Sequence, residues 1–199
     1  MNKPGRPRQF KLESALEEAS KVFWSQGYSA TSMDDLGKAM SMNRPSIYNA
    51  FGNKEALYRQ SLAQFCGQLD AGIKACLSQN PEFREGLNAF FEQAIAIYCA
   101  SDPNLGCLMI CTAPAESINS SDIKSDLASL IKRVDKTFAQ HISNAIDNGQ
   151  LNMGTDVEML AAHLQASLHT IAIRARAGAS KQSLRKYASF AVQQLPWTI

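Results

Sequence analysis

No C-x-x-C pair occurs among the cysteines of this chain. The five thiols, Cys66, Cys76, Cys99, Cys107 and Cys111, are odd in number and irregularly spaced, which excludes a disulfide framework and a zinc module. The histidines, His141, His163 and His169, show no ligand spacing, so neither a metal nor a cofactor is expected. No apolar run approaches the length of a membrane span. Met1-Asn2-Lys3-Pro4 does not read as the opening of a signal sequence, so a cytoplasmic protein without a membrane partner is expected. An excess of one charge is also lacking. Twenty basic and 18 acidic residues leave a formal net charge of +2, too little for a polybasic coat on nucleic acid and an argument against a non-specific architectural DNA protein. Neither β-type alternation nor an internal repeat is evident, which points away from sheets and repeat arrays.

What is present is helix. At 199 residues, 45% apolar and 19% charged, the chain is long enough to bury a sizeable core. Leu12, Ala15, Leu16, Ala19, Val22 and Phe23 recur at helical spacing up to Gln26, and Gly27 suits the C-terminal cap. Ser32 and Asp35 have the spacing of a capping box. Asn43 can cap a third helix that tolerates Pro45 in its first turn, and Asn53 can cap a fourth that runs to about Ser78. Later helices are expected over Phe83 to Ala100, from Ser121 to Asn148, from Asp156 to Gly178 and from Ser180 onwards; an apolar segment from Leu105 to Ala115 is interrupted by Pro114. The fold class is all-α with about nine helices: a three-helix N-terminal unit over 1–55, joined by a long helix to a helical unit over 56–199. Pro4-Gly5-Arg6-Pro7-Arg8 predicts a non-helical, flexible basic arm.

The charge that exists is unevenly placed. Residues 1–60 hold nine basic and six acidic side chains, and residues 61–199 hold eleven and twelve. Within the basic part, Arg44 to Phe51 forms a helix of about two turns with Ile47 and Phe51 on one side and Arg44, Ser46, Tyr48 and Asn49 on the other. Such a helix is too short to be a core element and fits a DNA major groove. Arg44 offers a planar fork to guanine N7 and O6, Pro45 an apolar ring to a thymine methyl, and Asn49 a contact to a base or a phosphate. Ser46 and Tyr48 can donate to phosphates. Lys54 adds its charge to the positive end of the next helix, and Thr31 and Ser32 provide hydroxyls at the opposite flank. Arg6 and Arg8 can enter an adjacent minor groove.

These residues resemble the TetR family of one-component bacterial regulators. The resemblance rests on Gly27-Tyr28-x-Ala30-Thr31-Ser32-Met33-Asp34-Asp35-Leu36 and on Arg44-Pro45-Ser46-Ile47-Tyr48-x-x-Phe51-x-x-Lys54-Glu55-Ala56-Leu57, spaced blocks in order. It implies a helix-turn-helix with the same DNA-contacting positions, a C-terminal effector and dimerisation domain, and a repressor released by its ligand. Two positions depart from the family pattern: Ser41 stands where the turn usually carries Gly, and Gly37 where Ala is common. A left-handed Ser41 would cost roughly 1 kcal/mol, and Gly37 roughly 0.5–1 kcal/mol of helix propensity.

One reading helix makes few base contacts, so a homodimer on a near-palindromic double-stranded operator is expected. Leu168, Ala172, Leu184, Tyr187, Ala188 and Ala191 are the candidate interface, small residues that allow close helix packing. An unidentified small-molecule effector would lie among Phe90, Phe91, Tyr98, Cys107, Met109, Phe138, His141, His163 and Leu164. Cys107 and Cys111, four apart, offer an alternative: some relatives carry Gly-Cys-Leu here and sense electrophiles or oxidants by thiol, although no Lys, Arg or His lies nearby in sequence to lower a thiol pKa. A Cys/His hydrolase using either cysteine with His141 or His163 is the rival enzymatic reading, opposed by the lack of a nucleophile motif or a Gly-rich oxyanion site.

Overall fold

The computed structural model describes the backbone of residues 6–198 and the side chains of residues 12–198. Among them nine helices follow one another: α1 (Arg6–Gln26), α2 (Met33–Met40), α3 (Arg44–Phe51), α4 (Lys54–Gln79), α5 (Phe83–Tyr98), α6 (Leu108–Glu116), α7 (Ser121–Asp147), α8 (Val157–Arg176) and α9 (Lys181–Gln193). Side-chain caps set most of the starts. Ser32, Asn43, Asn53, Ser120, Asp156 and Ser180 each accept a hydrogen bond from the backbone N–H three residues on, and such a cap contributes about 1 kcal/mol. The extended pairing is a single antiparallel bridge between Leu151 and Trp197. Among the described residues no helix is long and apolar enough to cross a membrane.

Two boundaries differ from expectation. The backbone is helical from Arg6 onwards, so Arg6-Pro7-Arg8 opens α1 and is not the non-helical stretch expected; Pro7 sits in the first turn, where its missing N–H would have had no intrahelical partner. Pro4 and Gly5 of the predicted arm lie outside the described residues. Near Pro114 the chain stays helical, because proline falls in the last turn of α6, where few turns remain to be disrupted.

The N-terminal unit is α1 to α3, with α2 packed on α1 and α3 held between α2 and α4. α4 is continuous, so the expected division at residue 55 falls inside its first turn. It packs against α1 on one side and against α5 and α7 on the other, while α8 and α9 close the body over α5 and α7. One buried core runs through both units, from Phe23, Leu36 and Ile47 through Leu57, Tyr58 and Leu62 to Phe90, Phe138 and Leu168.

The units are also joined by polar contacts around the extended segment before α6. Trp24 Nε1 donates to the carbonyls of Leu105 (3.3 Å) and Gly106 (3.1 Å). Arg176, in the last turn of α8, donates through Nη1 to the carbonyls of Trp24 and Leu105, both at 3.1 Å. The Tyr58 hydroxyl meets Thr112 Oγ1 of α6 at 2.7 Å inside the core, and Ser29 donates to Glu116 at 2.8 Å. Gly106 makes the close approach possible: it has φ +67°, and a Cβ there would stand 2.4 Å from the Ala172 carbonyl oxygen. Gly106→Ala is therefore expected to cost at least about 2 kcal/mol, the sum of a left-handed penalty and a backbone clash. Urea denaturation of the two proteins checks this.

Candidate nucleic-acid interface

The reading helix is fixed by its short apolar side. Ile47 is fully buried and Phe51 nearly so, four residues apart on the face that meets Leu36 and the α1 core. The remaining residues of α3, namely Arg44, Pro45, Ser46, Tyr48, Asn49 and Ala50, are exposed. The helix thus presents one continuous polar face, with Arg44 and Pro45 in its first turn and Tyr48 and Asn49 in its second. Asn43 Oδ1 accepts from the Ser46 N–H at 2.9 Å, which holds the N-terminus open towards the same side.

The turn between α2 and α3 closes as a Schellman motif. The Met42 N–H reaches the Gly37 carbonyl at 3.0 Å, and the Ser41 N–H reaches the Lys38 carbonyl at 3.3 Å. Ser41 adopts the left-handed conformation at φ 51°, ψ 41°, a region that favours glycine. Gly37 is explained by the same turn. A Cβ at Gly37 would lie 2.9 Å from the Met42 carbonyl oxygen, so the backbone past the turn rests on the missing side chain.

The flanking residues expected to hold phosphates are arranged differently from the sequence expectation. Thr31 is buried, with its hydroxyl donating to the Gly27 carbonyl at 2.6 Å; it closes the end of α1 and has no hydroxyl to offer a phosphate. Ser32 accepts from the Asp35 N–H at 3.1 Å and donates to Asp35 Oδ2 at 2.6 Å, so its side chain builds the N-terminus of α2. Lys54 is half-buried, and its ammonium donates to the carbonyls of Tyr28 and Thr31, both at 2.9 Å, while lying 4.2 Å from the centre of the Tyr28 ring. It braces the α1–α2 loop against α4, which leaves one of its three N–H groups for DNA. Arg6 and Arg8 lie in the first turn of α1, and their side chains fall outside the described residues.

Two residues on this face carry no sequence-local signal. Asp34, ten positions before Arg44, accepts Arg44 Nε at 2.9 Å and Nη2 at 2.6 Å, and the Arg44 interaction holds its carboxyl below the usual carboxylate range. Lys38 is exposed and lines, with Asp34, Arg44 and Pro45, an open concavity of about 810 Å³ beside the turn. Both appear only when α2 is laid beside α3.

The body gives a mixed answer for the effector residues. Phe90, Phe91, Tyr98, Cys107, Met109, Phe138 and Leu164 come together, all buried in the packed core. The Tyr98 hydroxyl is enclosed with no hydrogen-bond partner, and burial raises its pKa well above the usual phenol value. His163 is a correction: it is exposed on the outer side of α8 and cannot line an interior site. His141 lines a separate cavity of about 240 Å³ with Leu77, Phe83 and Asn144. Burial pushes the Cys107 thiol up to about 11 and also raises Cys111, so neither the thiol-sensing reading nor a Cys/His nucleophile finds an activated thiolate here. Among the described residues no group of three or more His, Cys, Asp or Glu side chains could hold a metal ion.

The interface residues are corrected as well. Leu168, Ala172, Leu184, Ala188 and Ala191 are buried within the chain, where they join α8 and α9 to α5 and to each other. Tyr187 is half-buried beneath Arg174, whose guanidinium lies 5.4 Å from its ring centre. The unpartnered apolar face of this helix pair is the other one: Met159 (66% exposed), Ala162, Ala166 and Ile173 (54%) on α8, with Phe190 (60%) on α9.

A short recognition helix presented by a helix-turn-helix and packed onto a helical body is the architecture of a DNA-binding regulator. The profile described as bacterial regulatory proteins, tetR family, matches residues 15–60, and that of the tetracyclin repressor-like C-terminal domain matches residues 84–190. The HTH-type transcriptional repressor ComR of Escherichia coli strain K12 is 33% identical over 193 residues, covering 96% of this chain and 92% of that protein. A cysteine mutant of the TetR family transcriptional regulator CifR, solved with 26-bp double-strand operator DNA, superposes with a TM-score of 0.86 at 29% identity, covering 96% of this chain and all (100%) of that one. The reduced form of E. coli NemR has the same fold, with a TM-score of 0.82 at 19% identity and 94% and 97% coverage. The chain belongs to the TetR family of transcriptional regulators.

The turn allows a test of opposite signs. Ser41→Gly is expected to stabilise the protein by about 1 kcal/mol by relieving the left-handed serine. Gly37→Ala should destabilise it by about 1–3 kcal/mol despite alanine's better helix propensity, because the Met42 carbonyl must move. Midpoints of urea unfolding measure both.

Proposed function

We propose that this protein is a cytoplasmic, homodimeric, non-enzymatic repressor that binds a near-palindromic operator and releases it when a small molecule enters the C-terminal body. The observation that carries the reading is the exposed polar face of α3 above its Ile47 and Phe51 anchors, in a chain of this family. ComR is named a repressor, and CifR has been solved on operator DNA; both support the same reading. Arg44, Pro45 and Asn49 read bases, Ser46 and Tyr48 hold phosphates, and the N-termini of α2 and α4 add the positive ends of their helix dipoles.

The exposed face of α8 and α9 supports the dimer. Met159, Ala162, Ala166 and Ile173 recur at spacings of three, four and seven, one stripe of a helix, and Phe190 extends it. Two copies packed face to face through small residues and these larger side chains would form a four-helix bundle on a two-fold axis. The effector would enter the packed core around Phe90, Phe91, Phe138 and Tyr98. The unpartnered Tyr98 hydroxyl favours a largely apolar ligand with one hydrogen-bond acceptor. Opening that core would displace α6 and the Leu105–Gly106 segment, and with them Trp24 and α1. The ligand thus stabilises a spacing of the two reading helices that no longer fits successive major grooves, a population shift driven by differential affinity.

Arg44→Ala and Tyr48→Ala are each expected to weaken operator binding about 10-fold or more in an electrophoretic mobility assay, with a steep fall in affinity as salt rises for the unmodified protein. Ile173→Asp should convert the dimer to monomer in analytical ultracentrifugation and lower operator affinity with it. Salt-independent binding, or a monomeric unmodified protein with full affinity, would defeat the reading.

A further inference from the structure

Arg44 is not a free reading side chain. Its guanidinium carries five N–H donors in a rigid plane. Asp34 takes up one edge, the one formed by Nε and Nη2, at 2.9 and 2.6 Å. The other edge, formed by Nη1 and the outer hydrogen of Nη2, keeps two parallel donors. That free edge is the one that matches O6 and N7 of a guanine. Both partners can therefore be satisfied at once.

The pair has no evident structural task. Arg44 and Asp34 are 57% and 62% exposed, and an ion pair at such a surface adds little to stability. The N-terminus of α2 is capped without Asp34, by Ser32 and Asp35. A carboxylate on a face that meets phosphates is unfavourable unless something neutralises it. Here the neutralising group is the arginine expected to read a base, and both stand on the wall of the same open concavity.

We propose that Asp34 is a positioning residue for sequence recognition: it clamps one edge of the Arg44 guanidinium so that the free edge is presented, in a fixed plane, to a single guanine in each half-site. This rests on the reading that α3 enters the major groove. Without the clamp, Arg44 rotates about its side-chain bonds and contacts phosphates or other bases equally well. Asp34 thereby converts a basic contact into a specific one.

The test is selection of bound duplexes from a random pool by the full-length protein, followed by affinity measurements on the selected operator and on copies with the guanine replaced. The unmodified protein should prefer guanine at one position per half-site, and Arg44→Ala should lose that preference. Asp34→Ala should keep its affinity for unrelated duplex, or raise it by the loss of a negative charge, while the preference for guanine at that position falls roughly 10-fold. Asp34→Asn, which retains one acceptor, should fall between. All variants should melt within a few degrees of the parent, since the cap of α2 remains. If Asp34→Ala selects the same operator with undiminished preference, the ion pair is merely a contact of the free protein that DNA breaks, and the proposal fails. It also fails if the guanine preference survives Arg44→Ala. If the unmodified protein selects no sequence at all, the major-groove reading of α3 falls as well, and the two failures are told apart.

Discussion

The contact on which the rest of the arrangement depends is the meeting of α1, α6 and α8 at the carbonyls of Trp24, Leu105 and Gly106. Three non-helical or helix-terminal carbonyls lie within the protein and need donors. The indole of Trp24 and the guanidinium of Arg176 provide them. The satisfied carbonyls tie the end of the first helix to the end of the eighth, residues far apart in sequence and in different units. Loss of the indole would free the Gly106 carbonyl and loss of the guanidinium the Trp24 carbonyl, and a part-buried carbonyl left unpaired costs more than the bond itself contributes. Gly106 is needed because the Ala172 backbone lies where any side chain would stand.

The helix-turn-helix was largely legible in the sequence because its determinants are local. Ser32 with Asp35, Asn43 with Ser46 and Asn53 with Ala56 are caps closed over three residues, and Ile47 with Phe51 is a four-residue spacing. Periodicity located the remaining helices to within a few residues for the same reason. What failed was long-range. Lys54 reads as a charge at a helix start, but the carbonyls that hold it come from residues 28 and 31. Thr31 reads as an available hydroxyl until the end of α1 folds over it. Arg44 and Asp34 lie on different helices, so no spacing rule pairs them.

The same limit explains the helix pair at the end of the chain. Alanine and leucine at helical spacing mark a packed face without saying what packs there. In α8 there are two such faces. Leu164, Leu168 and Ala172 turn inwards, whereas Met159, Ala162, Ala166 and Ile173 turn outwards. The larger inward residues drew attention to the side that is already packed within the chain. Cys107 illustrates the converse: its spacing from Cys111 is right for one helical turn, yet burial keeps its thiol protonated, and only the fold could show that.

These constraints also restrict how the body can act on the reading head. Ile47 and Phe51 are buried where α3 packs between α2 and α4, and Lys54 locks the α1–α2 loop to the first turn of α4. With Tyr58 bound to Thr112 and packed against Phe23 and Tyr28 at 5.1 and 5.0 Å between ring centres, the N-terminal unit has few internal degrees of freedom. Close-packed interiors shift as blocks more readily than they deform. A displacement arising in the body would therefore reach α1 to α3 as one piece, through α4 and through the Leu105–Gly106 junction. In the proposed dimer, moving the unit as a block would alter the separation of the two reading helices while leaving each recognition surface intact, so affinity would change without a change in the preferred sequence.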